Sequence, residues 1–137
     1  MLQLELIFHN DALTVEVDLA KKFIKGVWLR QPTSKEFRKY ISLVTEYALA
    51  QNITLALYDI RQRSYMEYCD QNWTLKEIFP LFEDKFKKLA YLTSLESLDL
   101  MDTLRLQEAQ YTAKYPNKTF QIEHFLEEEK ALEWLFE

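Results

Sequence analysis

The stretch Ile53-Thr54-Leu55-Ala56-Leu57-Tyr58-Asp59 decides the fold. It is a run of β-formers that closes on a carboxylate, with Arg61 just beyond it. Apolar side chains stand at both parities, with Ile53, Leu55 and Leu57 on one face and Ala56 and Tyr58 on the other. Such a strand needs cover on both faces, so the stretch predicts an interior strand that everything else must flank.

The segment just before it carries the clearest local signal. Thr33 as N-cap with Glu36 at the third helical position forms a capping box, and such a cap contributes about 1 kcal/mol. Phe37, Tyr40, Ile41, Val44, Tyr47 and Ala48 then recur at helical spacing and define one apolar face, and Gln51-Asn52 ends the helix. Three strands precede it. In the first, Leu2, Leu4, Leu6 and Phe8 alternate with Gln3, Glu5 and Ile7; in the second, Leu13, Val15 and Val17 alternate with Thr14, Glu16 and Asp18. The third runs from Phe23 to Leu29 and contains the only glycine, Gly26, which suggests a bulge, a close backbone approach, or a simple kink in an edge hairpin.

Beyond Asp59 the chain is mixed to Asp70 and helical in pattern from there to Phe86. Leu75, Ile78, Phe79, Phe82 and Phe86 fall on one side, and Pro80 kinks the helix or opens a second piece. Lys88 to Thr93 reads as another buried strand and Ser94 to Ser97 as a connector. Leu100, Met101, Leu104 and Tyr111 read as a helix that stops before Pro116, and Thr119 to Phe125 as a final strand. Glu127, Glu128 and Glu129 suit the positive end of a short last helix carrying Ala131, Leu132, Trp134, Leu135 and Phe136. The order βββαβαβαβα predicts a single α/β domain over residues 1–137, its mixed sheet opening with antiparallel strands and continuing as parallel βα units with right-handed crossovers.

Composition bounds the function. Of the 137 residues, 48% are hydrophobic and 28% charged, the balance of one ordered domain with a real core. A net charge of −5 argues against nucleic acid, whose phosphates need a basic surface. The alternating N-terminus has neither the basic nor the apolar region of a signal peptide, and no run approaches a membrane span, so the expectation is a cytoplasmic protein without membrane contact. Cys69 is the only cysteine, and with His9 and His124 it makes no spaced metal cluster, so neither disulfide nor metal is expected. A single glycine cannot build a phosphate-cradling loop, and no cofactor is expected.

Asp59 with Arg61, Asp70-Gln71 and Trp73, then Pro80, and finally Ala131-Leu132-Glu133-Trp134-Leu135, taken in that order and spacing, resemble the STAS-like domains. That family is typified by the sporulation anti-sigma-factor antagonist, and the resemblance is above all to an uncharacterised bacterial subgroup of it. It covers nearly the whole chain. It implies a βαβ-rich fold without catalysis, used for protein–protein regulation or ligand sensing. Typical members place a phosphorylatable serine and then glycine after the aspartate that ends the central strand. Here Ile60-Arg61-Gln62-Arg63 follows Asp59, and the nearest hydroxyl is Ser64, so the phospho-switch does not carry over.

Other chemistry is weakly signalled. Ser64-x-x-Glu67 reads as an ordinary capping box. Cys69 beside a remote histidine is only compositionally possible as a nucleophile, and among Asp59, Glu67 and Asp70 nothing selects a catalytic pair. A structural salt bridge from Asp59 to Arg61 or Arg63 is the plainer reading. The expected function is thus a non-enzymatic regulatory or protein-interaction module, with a protein partner or a second copy of itself. The alternative is a carrier or sensor of a small or lipid-like molecule with an aromatic-lined pocket, and an enzyme comes last.

The candidate residues are Asp59, Arg61 and Ser64 at the carboxyl end of the central strand, where open α/β sheets place ligand crevices, together with Met66, Cys69 and Trp73. If a helix already runs from Tyr65, these last three lie opposite a core-facing sector of Tyr68, Leu75, Ile78, Phe79, Phe82 and Phe86, and form a partner face anchored by Trp73. If the helix starts near Asp70, Met66 and Cys69 belong to a loop over the sheet end and Trp73 covers the strand-to-helix junction.

Overall fold

The expected central strand forms as β4 (Leu55–Asp59), one of six strands that follow one another across a mixed sheet in sequence order. The computed structural model describes residues 1–137, with every side chain except that of Leu98. β1 (Glu5–His9), β2 (Leu13–Asp18) and β3 (Phe23–Trp28) form an antiparallel meander. β3, β4, β5 (Lys88–Leu92) and β6 (Gln121–Phe125) are parallel, so β4 has a parallel neighbour on each side.

Sequential order decides where the helices go. When each parallel crossover advances by one strand and keeps the usual hand, all the crossover helices fall on the same face. Accordingly α1 (Ser34–Ala50), the helical segment 68–82 and α4 (Leu98–Lys114) bury Phe37, Ile41, Ile78, Phe79, Leu104 and Tyr111 in one core with Trp28, Ala56, Tyr58 and Leu89 of the sheet. The opposite face carries α5 (Glu128–Leu135), whose Ala131 and Leu135 pack on Phe23, Leu57, Ala90 and Leu92. That is why β4 is apolar at both parities. Ile53 departs from the expected pattern and joins the first core, because its N–H still bonds the Ala48 carbonyl and the chain there is leaving α1.

Local devices follow from local sequence. Thr33 Oγ1 accepts the Glu36 N–H at 3.1 Å and Glu36 Oε1 accepts the Thr33 N–H at 2.9 Å, which completes the capping box. Segment 68–82 is α2 (Tyr68–Trp73), a π-helical turn (Thr74–Ile78) and α3 (Phe79–Phe82). Pro80 supplies no N–H and would clash with the carbonyl four residues back. The widened turn, in which the Phe79 N–H reaches the Thr74 carbonyl, accommodates it without ending the helix.

The first strand corrects the alternating reading. A bulge between Leu6 and Phe8 shifts the register, so Ile7 and Phe8 both pack on the helix-covered core. Leu2 and Leu4 pack on the α5 side, and Leu6 is exposed. Gly26 lies in β3, an interior strand, and is needed for close approach: an added Cβ would stand 2.9 Å from two ring atoms of Tyr58. No glycine has a positive φ; the left-handed turns use Lys22, Asn52 and Asp84.

Candidate functional site

The carboxyl ends of β3, β4, β5 and β6 share one end of the sheet, and the loops leaving them hold most of the polar chemistry. Asp59 ends β4 on the α5 face. Its Oδ1 accepts from the Arg61 backbone N–H at 3.1 Å and from Nε at 3.0 Å, and its Oδ2 accepts from the Arg61 guanidinium at 2.7 Å. Hydrogen bonding to Asp59 raises the Arg61 pKa further above its ordinary value. The carboxylate is buried and the guanidinium half-exposed, so the pair closes the strand end and presents one cationic edge to solvent.

On the other face, a 240 Å³ pocket opens between the β3–α1 loop, the first turn of α1 and the loop from β4 to α2. Asp70, the one buried residue of α2, accepts from Ser34 Oγ at 2.6 Å and Arg38 Nε at 2.8 Å. Ser34 and Arg38 are four apart on α1 and therefore share a face, which lets one carboxylate tie both to α2. Among the described residues Arg63 has no carboxylate partner. It is 5% exposed, its guanidinium lies 4.9 Å from the Phe37 ring centre and 5.5 Å from Trp28, and its Nε makes no hydrogen bond. Burial pushes its pKa down to about 10, opposed by Tyr91, Asp70 and Tyr65.

Beneath Arg63 runs a row of rings across the sheet. Tyr58 pairs in register with Tyr91, and Tyr91 with His124, with ring centres 6.3 and 5.3 Å apart. Burial raises the pKa of both tyrosines well above the ordinary value. A 30 Å³ cavity touches Tyr58, Tyr91, Arg63 and Thr74, room for about one water. Both ring nitrogens of His124 and both amide atoms of Gln107 are buried without a hydrogen-bond partner, and His124 Nε2 stands 3.8 Å from Glu108 Oε2.

The structure does not gather the remaining candidates into one face. Helix α2 starts at Tyr68, so the reading that required a helix from Tyr65 fails. Met66 precedes the helix and is buried in the core, while Cys69 is exposed. Trp73 is half-buried, edge-on to Phe37 at 5.9 Å with the Arg38 guanidinium over its ring. Tyr68, expected in the core-facing sector, is 73% exposed. Ser64 is exposed and its N–H donates to Gln31 Oε1; Glu67 is the N-cap and makes no side-chain cap, so no Ser64–Glu67 capping box forms. Asp59 and Asp70 are held in separate ion pairs. His9 and His124 lie on opposite edge strands.

Nothing in the sequence alone marks Ser34, Arg38 or Tyr91 as a site residue, and it offers Arg63 only as a possible partner of Asp59. The run Arg61-Gln62-Arg63 looks uniformly solvated, and nothing in its composition marks one arginine as buried. Among the described residues no group of three or more His, Cys, Asp or Glu could hold a metal ion, and no helix is long and apolar enough to cross a membrane. Comparison with family models, with curated proteins and with solved structures gives no match for this chain.

Proposed function

We propose that this chain is a non-enzymatic regulatory or protein-interaction module of the STAS-like type, acting in the cytoplasm through the carboxyl end of its sheet on a protein partner or a second copy of itself. One observation carries the reading. Each connection leaving a parallel strand there presents a large apolar side chain to solvent: Leu29 after β3, Tyr65 and the first helical residue Tyr68 after β4, Leu95 after β5 and Leu126 after β6. Tyr68, Leu95 and Leu126 are 73, 69 and 56% exposed. Adjacent strands lie about 4.8 Å apart, so these side chains fall within the span of one interface. The half-exposed Arg61, held in place by Asp59, adds a charge suited to the rim of such a surface.

The test is a triple variant, Tyr68→Ser with Leu95→Ser and Leu126→Ser, compared with the unaltered chain by sedimentation and by affinity capture from the source cell. The substitutions remove no buried contact, so circular dichroism should be unchanged. Self-association, or one reproducible partner, should be present in the unaltered chain and lost in the variant. An unaltered chain that sediments as a monomer and captures the same proteins as the variant refutes the proposal.

A second reading, a carrier or sensor of a small or lipid-like molecule, has one observation in its favour. A cleft of 240 Å³ between α1 and the β1–β2 hairpin is lined only by apolar and aromatic residues, among them Phe8, Val15, Tyr40, Leu43 and Tyr47. Native mass spectrometry of the purified chain decides it by the presence or absence of a co-purified apolar ligand.

A further inference from the structure

Among the buried polar groups that the fold leaves without full hydrogen bonding, Arg63 is the one that carries a permanent charge and lines an open pocket. A guanidinium carries several N–H donors in a rigid fork and stays charged at neutral pH. Here its one hydrogen bond is a 3.4 Å contact to the Tyr65 carbonyl, its Nε has no partner, and it is 5% exposed. Burying a cation in this way is costly without an anion, and stacking on Phe37 and Trp28 supplies only part of the compensation. The nearby carboxylate, Asp70, is already engaged by Ser34 and Arg38. Glu67, at the rim of the same pocket, is exposed and makes no ion pair among the described residues.

The pocket beside Arg63 is shaped for what is missing. Its 240 Å³ lies just below the roughly 300 Å³ at which drug-sized sites begin, the size for a small metabolite. One wall is the first turn of the 17-residue helix α1, where the N–H groups of Ser34 and Lys35 precede any intrahelical acceptor and the helix dipole favours negative charge. Phe37 and Tyr65 supply flat apolar surface, and Gln31 supplies a polar wall that links the two loops, donating from Nε2 to the Tyr65 carbonyl and accepting the Ser64 N–H.

We propose that this pocket binds a small organic anion, its carboxylate or phosphate held by Arg63 and the first turn of α1 and its apolar remainder lying against Phe37 and Tyr65. The pocket shares Tyr65 and the carboxyl end of the sheet with the interaction surface argued above, but it rests on a different observation, the buried guanidinium of Arg63. It also gives a role to an arginine buried at a position where an apolar residue would cost less.

The experiment is titration calorimetry on the full chain with three probes of one shape: benzoate, phenyl phosphate and neutral benzamide. Benzoate or phenyl phosphate should bind at millimolar concentration or below, and the tighter of the two identifies the anion class. Benzamide should bind more weakly than either. In Arg63→Met, which replaces the buried charge by an apolar side chain of similar reach, affinity for the anion should fall about tenfold to a hundredfold, the range for a hydrogen bond to a charged group. The Arg63 Nε–H resonance of the unaltered protein should shift on adding the same anion, a readout that does not depend on the variant folding. No binding by either anion, equal binding of benzamide, an unmoved Arg63 resonance, or full affinity in a folded Arg63→Met would each overturn the proposal.

Discussion

Replacing Gly26 by alanine should destabilise the protein, although alanine ordinarily improves a strand. Two effects oppose each other. An interior strand gains roughly 0.5–1 kcal/mol from Gly to Ala through lost backbone freedom in the unfolded chain. Against this, the new Cβ would stand 2.9 Å from both Cδ1 and Cε1 of Tyr58, closer than carbon atoms pack. Tyr58 cannot swing aside: it is 8% exposed, stacked on Tyr91 at 6.3 Å and built into the core beneath the helices. Overpacking of a filled core costs about 1–3 kcal/mol, so the net loss is about 1 kcal/mol. For a chain of this length that lowers Tm by about 4 °C. The assay is urea unfolding and thermal melting of Gly26→Ala, Tyr58→Leu and the double variant. With the ring removed, alanine should become neutral or stabilising by about 0.5 kcal/mol, a coupling of about 1–1.5 kcal/mol between two positions paired across β3 and β4. A Gly26→Ala protein as stable as the original, or a penalty that persists in the Tyr58→Leu background, would refute the space-filling account of this glycine.

Two further outcomes follow from the ion pairs. Asp59→Asn keeps an acceptor for the Arg61 N–H but removes the charge that takes both guanidinium bonds, so urea unfolding should show a loss of about 1–3 kcal/mol with folding retained, and insoluble protein would mean that the pair is essential to the strand end. Glu36, hydrogen-bonded by Arg30 and by the Thr33 N–H, has its pKa lowered to about 2, so its contribution is complete above the usual carboxylate range near 4.3 and disappears as pH falls from there through about 2. The stability difference between the unaltered chain and Glu36→Gln should therefore be about 1 kcal/mol at neutral pH and close to zero at the acid end; a difference that does not change with pH would contradict the assignment.

Much of this architecture is written in short-range pattern. The capping box at Thr33 and Glu36, the helical spacing from Phe37 to Ala48 and the two-faced apolar run before Asp59 each depend on residues within a few positions of one another; the first two form as read, and the run does so from Leu55 onward, with Ile53 alone on the other face. The Asp59–Arg61 pair is legible for the same reason, since its partners are two residues apart. The bulge that puts Ile7 and Phe8 on one face was hidden, because it is set by pairing with β2 and not by the alternation of β1 itself. The reason for Gly26 was hidden as well: Tyr58 lies on another strand, and only the β3–β4 register brings the ring over the glycine. The pocket around Arg63 is tertiary throughout. Ser34 and Asp70 meet across 36 positions of chain and Gln31 and Ser64 across 33, and a guanidinium that looks solvated in the sequence is buried only because the loops after β3 and β4 close over the same end of the sheet. Periodicity says which face of an element is buried, but the convergence of loop side chains is fixed by strand order, and strand order depends on the packing of the whole sheet.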